Sequence, residues 1–146
     1  MKRNLWLLTL LISGFFLLTG CSKDNDDSPT IEGTWKIQKS VSTVYINGTV
    51  DNESGETINY NSGSTLTLKE GKITIVVDEP EDSYTDSGTY TYANDKLTIQ
   101  YTEGEEDRDE FTIQKLTNTS LILVNEIIDT WEGNTYKEVT EIQLTR

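Results

Sequence analysis

With no histidine anywhere in its 146 residues, this chain would have to move protons with carboxylates or tyrosines. Asp and Glu number 25 against 12 Lys and Arg, so the acidic clusters are the first places to look for chemistry. The densest holds Glu103, Glu105, Glu106, Asp107, Asp109 and Glu110 around Gly104 and Arg108, and a second holds Asp78, Glu79, Glu81 and Asp82 around Pro80. Both offer the hard oxygen ligands that calcium takes, but the spacing is not that of an EF-hand loop. They read as solvated hairpin loops whose charge opposes edge-to-edge aggregation, and no metal is assigned to them. The sequence shows no glycine-rich phosphate loop and no nucleophile elbow. The expectation is therefore a protein that is not an enzyme and carries no cofactor.

The remaining reactive group is Cys21. It follows Leu18, Thr19 and Gly20 at the end of an apolar run from Leu5 to Leu18, with Lys2 and Arg3 ahead of that run. A positive start, a short apolar stretch and small residues at its end are the parts of a cleaved signal peptide. The stretch is short for a transmembrane span, and no second cysteine exists to form a disulfide. The segment resembles a bacterial lipobox, which implies that residues 1–20 are removed and the Cys21 thiol is lipidated. Each buried acyl methylene contributes about 0.8 kcal/mol, so more than one chain on Cys21 would hold the protein on a membrane unaided. Beyond it, residues 21–30 are polar and mostly acidic and form a solvated, flexible tether. Lys23, Asp24, Asp26 and Asp27 resemble the export signal of surface lipoproteins in Bacteroidota. That resemblance implies an outer-membrane protein displayed on the cell surface, the alternative being one facing the periplasm.

Removing the first 20 residues takes the basic count from 12 to 10 against 25 acids, a formal charge of −15. Nucleic acid is excluded as a partner, because phosphate binding needs basic surface to displace counterions. From Ile31 to Arg146 the chain is one domain long. Short runs there alternate apolar and polar residues, the period of half-buried strands. Eight are predicted: Thr34–Tyr45, Ser64–Lys69, Lys72–Val77, Ser87–Ala93, Lys96–Thr102, Glu110–Lys115, Ser120–Thr130 and Thr135–Thr145. Glu70-Gly71, Asn94-Asp95, Thr117-Asn118 and Glu132-Gly133-Asn134 supply the turns between antiparallel neighbours.

Closing such a meander on itself removes both exposed edges, so the predicted fold is all-β, an eight-stranded antiparallel up-and-down barrel. A two-sheet sandwich is the competing solution. Inward faces would include Trp35, Ile37, Val41, Leu66, Leu68, Tyr90, Tyr92, Leu97, Ile99, Tyr101, Phe111, Ile113 and Leu144. Leu121 to Val124 is apolar on both faces, as is Ile127 with Ile128, so the outside of that strand should be covered by a loop, a neighbouring chain or a membrane.

Gly33 and Trp35 form a G-x-W element at the start of the first strand, and the last strand ends in Leu144, Thr145 and Arg146. Together with the eight strands between them, these residues resemble a lipocalin-like domain. The resemblance implies that Arg146 covers the Trp35 indole as a plug at one end of the barrel. It also implies a cavity for a small apolar or amphipathic ligand, lined by Tyr90, Tyr92, Tyr101 and Phe111. The polar stretch from Asn47 to Ser64 would then be a lid over the mouth, with Ile58 and Tyr60 facing the cavity. Read from its residues alone, it is a disordered excursion or a short edge strand around Thr57 to Tyr60. An alternative function is a non-enzymatic surface protein whose barrel is filled and whose loops, or the Leu121 to Trp131 strand, contact a partner.

Overall fold

The computed structural model describes residues 28–81, 83–102 and 108–146. The signal peptide of residues 1–20, Cys21 and the tether residues Lys23, Asp24, Asp26 and Asp27 lie outside the described residues. So do Asp82 and the acidic residues Glu103, Glu105, Glu106 and Asp107.

Among the described residues nine strands form one antiparallel sheet: β1 (Gly33–Ile46), β2 (Thr49–Asn59), β3 (Thr65–Lys69), β4 (Lys72–Val77), β5 (Tyr84–Ala93), β6 (Lys96–Tyr101), β7 (Arg108–Leu116), β8 (Ser120–Trp131) and β9 (Asn134–Thr145). Four of the hairpins turn on two residues with positive φ: Asn47-Gly48, Glu70-Gly71, Asn94-Asp95 and Glu132-Gly133. Positive φ at both central positions gives the backbone twist that matches two flanking strands. The apolar alternation and these turns together make each strand pair with the next from β3 to β9.

Closure comes from β1, which pairs with β3 through Gly33 to Lys36 and with β9 through Lys36 to Ile46. The eight strands β1 and β3–β9 thus make a closed barrel with no sandwich-like second sheet. The ninth, β2, was not among the predicted strands. It lies against the second half of β1, from Lys39 to Ile46, on the side that β3 leaves free. Backbone pairing alone holds it there, since almost every β2 side chain is exposed. This corrects the lid and the excursion expected for Asn47 to Ser64, while the edge strand expected around Thr57 to Tyr60 is present as the end of the longer β2.

The inward layers follow the strand period. Leu68, Ile73, Leu97, Ile99, Leu121, Leu123 and Leu144 are buried around Trp35, which has no exposed surface. An irregularity in the β1–β9 register between Ile37 and Lys39 moves the inward face by one residue. Ser40 and Ser42 therefore share a face with Ile142 and Thr140, while Val41 pairs with Glu141 and turns outward, contrary to its predicted inward position. The outside of β8 is not covered in the single chain: Ile128 is 61% exposed.

The start of β1, the β3–β4, β5–β6 and β7–β8 turns and the C-terminus gather at one end of the barrel. Glu70 N donates to Glu32 Oε1 at 3.2 Å, Tyr90 Oη donates to the same oxygen at 3.0 Å, and Arg146 N donates to Thr119 O at 3.2 Å. This end is closed by Trp35, whose Nε1 donates to Ile31 O at 2.8 Å, and by Arg146, whose Cζ stands 3.8 Å from the indole centroid. The guanidinium also donates to Thr30 O at 2.9 Å and to Glu32 O. Gly33, at φ +126°, leaves room for it, because a Cβ there would lie 3.1 Å from Arg146 Nη2. A stacked and hydrogen-bonded guanidinium contributes through its planar fork, which lysine lacks. Arg146→Ala should lower stability by about 1–3 kcal/mol, and Arg146→Lys should recover less than half of that, measured by urea unfolding. Full recovery by lysine would contradict the fork's role.

Candidate functional site

The other end of the barrel interior holds a cavity of about 190 Å³. Ile37, Leu66, Ile75, Ile99, Phe111 and Leu123 form its apolar floor and walls, and Val77 and Ile142 add to them. Tyr60, Tyr84, Asp86, Tyr101 and Asp109 supply its polar atoms. The geometry follows from register. Ile75 pairs with Asp86, Gly88 with Tyr101, and Ile99 with Asp109, so these residues share the inward face of β4, β5, β6 and β7. Gly88 keeps that wall close, since a Cβ there would stand 2.2 Å from Gln100 O.

Tyr101 Oη donates to Asp109 Oδ2 at 2.8 Å. Burial, then this hydrogen bond, then the negative charge of Asp109 and Asp86 push the Tyr101 phenol well above its ordinary value. Burial and Glu32 push Tyr90 in the same direction. Above about pH 10 the unfolded chain loses these protons while the barrel keeps them. The native state then binds more protons, so stability falls as pH rises. The thermal midpoint should decline above about pH 10, and Tyr101→Phe should make the decline shallower. An equally steep decline in the variant would contradict this environment for Tyr101.

Of the four aromatic residues expected around the ligand, the structure brings Tyr101 and Phe111 to the cavity. Tyr90 and Tyr92 are not part of its lining. Both point along the inward face of β5, but they sit past Gly88, toward the closed end. Tyr90 bonds Glu32 there, and Tyr92, two residues before the Asn94-Asp95 turn, is 41% exposed. Tyr60 lines the cavity as expected and Ile58 does not, and in the place of the two tyrosines stand Tyr84, Asp86 and Asp109. The signal for the last two was present. Counting back by two from Tyr90 and from Phe111 reaches Asp86 and Asp109, but both strands were begun too late to include them.

A larger hollow of about 550 Å³ lies on the outer face of β7 and β8, between Thr112 and Val124. Its walls include Lys96 and Glu110, which are salt-bridged to each other, and Glu126. A shallow, charged groove holds a small molecule less well than a deeper and more apolar one. The interior cavity is therefore the candidate site. Among the described residues no cluster of three or more metal-ligating side chains occurs.

Residues 31–123 match the family described as Lipocalin-like domain. The chain belongs to the lipocalin-like domain family. Among solved structures, a lipocalin-like protein from Bacteroides uniformis is 14% identical, with a TM-score of 0.50 over 79% of this chain and 96% of that one. An uncharacterized protein from Bacteroides eggerthii is 12% identical, with a TM-score of 0.46 over 74% of this chain and 97% of that one. A deswapped triple mutant of bovine odorant binding protein is 20% identical, with a TM-score of 0.41 over 77% and 71% of the two chains. The first of these likenesses bears on the fold of the lipocalin-like domain alone, and the other two carry no argument. No curated protein is similar enough to match.

Proposed function

We propose that this chain is a lipid-anchored outer-membrane lipoprotein, displayed on the cell surface, whose lipocalin-like barrel binds a small apolar or amphipathic ligand without chemical change. The observation that carries the binding role is the largely apolar cavity inside the barrel with a few polar groups at its open edge. At about 190 Å³ it is smaller than the ~300–1,000 Å³ usual for drug-sized ligands, so the cargo is a small molecule or one end of a longer one. The lipid anchor rests on Cys21 and the segment before it, and surface display rests on Lys23, Asp24, Asp26 and Asp27.

Native mass spectrometry of the protein extracted from its own host reads both parts of this proposal at once. The chain should begin at Cys21 and carry acyl mass there, and a non-covalent small molecule should accompany the folded species. A chain without acyl mass would end the anchor reading, and a ligand-free folded species would weigh against the binding role. Protease treatment of intact cells tests display, since a protected domain would place it on the periplasmic side.

One observation favours a second reading, in which the extended end of β8 contacts a protein partner. Ile127 and Trp131, which continue the Leu121 and Leu123 face of β8 beyond its last pairing with β7, are 59% and 63% exposed, and Ile128 is exposed on the opposite face. Large apolar side chains grouped on one strand are the mark of an interaction surface.

A further inference from the structure

The charge on the cavity wall narrows the class of ligand, and this step rests on the binding role proposed above. We infer that the cavity selects small organic cations, an apolar or aromatic body carrying an ammonium group. Among the described residues, the only charged side chains in its lining are Asp86 and Asp109, and no Lys or Arg reaches it. None of the ion pairs among the described residues includes either carboxylate. Asp109 accepts a hydrogen bond from the neutral Tyr101 phenol, which orients one carboxylate oxygen and leaves the charge unneutralised.

The two carboxylates sit on β5 and β7 with Tyr101 of β6 between them, at the wet edge of an otherwise apolar chamber. A ligand entering apolar end first would bury its body against Ile99, Phe111 and Leu123 and leave its polar end beside Asp86 and Asp109. An anionic end there meets like charge in partly desolvated surroundings, which is costly. A neutral end gains ordinary hydrogen bonds. An ammonium gains charge-assisted hydrogen bonds to the carboxylates and attraction to the faces of Tyr60, Tyr84 and Tyr101. The chain's formal charge of −13 adds a field that draws cations toward the site.

The test is calorimetric titration of the full chain in phosphatidylcholine nanodiscs, with empty nanodiscs as the blank. Three probes share one aromatic body: 2-phenylethylammonium, 2-phenylethanol and phenylacetate. The ammonium should bind roughly 10- to 100-fold tighter than the alcohol, and phenylacetate should bind weakest. Asp86→Asn with Asp109→Asn should bring the ammonium down to the affinity of the alcohol while alcohol binding persists. Asp86→Asn alone, at an exposed position that the fold tolerates, should remove part of the preference. Equal affinity for the ammonium and the alcohol in the native chain, or a preference that survives both substitutions, would overturn cation selection and leave the cavity's binding role intact. Absence of binding by all three probes would overturn both.

Discussion

Trp35→Ala should destabilise the barrel by about 3–5 kcal/mol, the largest loss expected of any single truncation in this chain. Trp35 has no exposed surface, closes one end of the interior, and anchors both Ile31 O through its Nε1 and Arg146 through its face. Removing the ring leaves a void that the surrounding strands cannot collapse into, because their backbones are fixed by a closed ladder. Arg146 would lose its platform at the same time, and Ile31 O its donor. Against a typical total stability of about 5–15 kcal/mol this is a large fraction, equal to a fall in thermal midpoint on the order of 10–25 °C. Trp35→Phe should lose about 1–2 kcal/mol, since it keeps most of the apolar volume and forfeits the hydrogen bond. A Trp35→Ala variant that melts with the native chain would show that the barrel end is held by something else.

Ile142→Trp should abolish ligand binding while the barrel still folds. Ile142 lies on the wall of the cavity, paired with Ser40 on one side and Leu123 on the other. An indole at that position has free volume ahead of it and no free volume elsewhere, so it fills the space a ligand would use. The cost of crowding is about 1–3 kcal/mol, which an intact domain tolerates. Affinity for 2-phenylethanol should fall by roughly 100-fold or more, to the level of non-specific association. Ile128→Trp, on the outer face of the same sheet, is the control and should leave affinity unchanged. Loss of binding in Ile128→Trp with retention in Ile142→Trp would place the site on the exterior of β8.

The strands of the closed ring were legible because apolar residues recur at every second position in Leu66 to Leu68, Ile73 to Ile75, Leu97 to Tyr101 and Phe111 to Ile113. Their turns were legible because Glu70-Gly71, Asn94-Asp95 and Glu132-Gly133 tolerate positive φ. Beyond the short edge strand read around Thr57 to Tyr60, β2 was not legible, and the reason is physical. Between Thr49 and Asn59 only Val50 and Ile58 are apolar, and both are exposed. The strand exists through hydrogen bonds to the long second half of β1, which leave no imprint on side-chain pattern.

The irregularity after Ile37 was invisible for a similar reason. An extra residue changes the face of every side chain beyond it without changing their types, so Val41 was placed inside when Ser40 and Ser42 are there. At the site, Phe111 and Tyr101 could be read from alternation, and the same alternation reaches Asp86 and Asp109, but carboxylates in an acidic stretch look like solvated loop and so fall outside the predicted strands. Their inward placement is a property of the strands extending further than apolar residues do: β5 begins at Tyr84 and β7 at Arg108. The departure of Tyr92 from the lining has the same origin, since position along a strand, and not only the face, decides which end of a barrel a side chain serves.

The most direct measurement of the central claim is a methyl NMR titration of isotope-labelled protein with 2-phenylethanol and 2-phenylethylammonium. Methyl resonances of Ile37, Ile75, Ile99, Leu123 and Ile142 should shift and saturate together, while those of Ile128, on the outer face of β8, stay in place. Shifts confined to Ile128, with the interior methyls unmoved, would contradict a binding cavity inside this barrel.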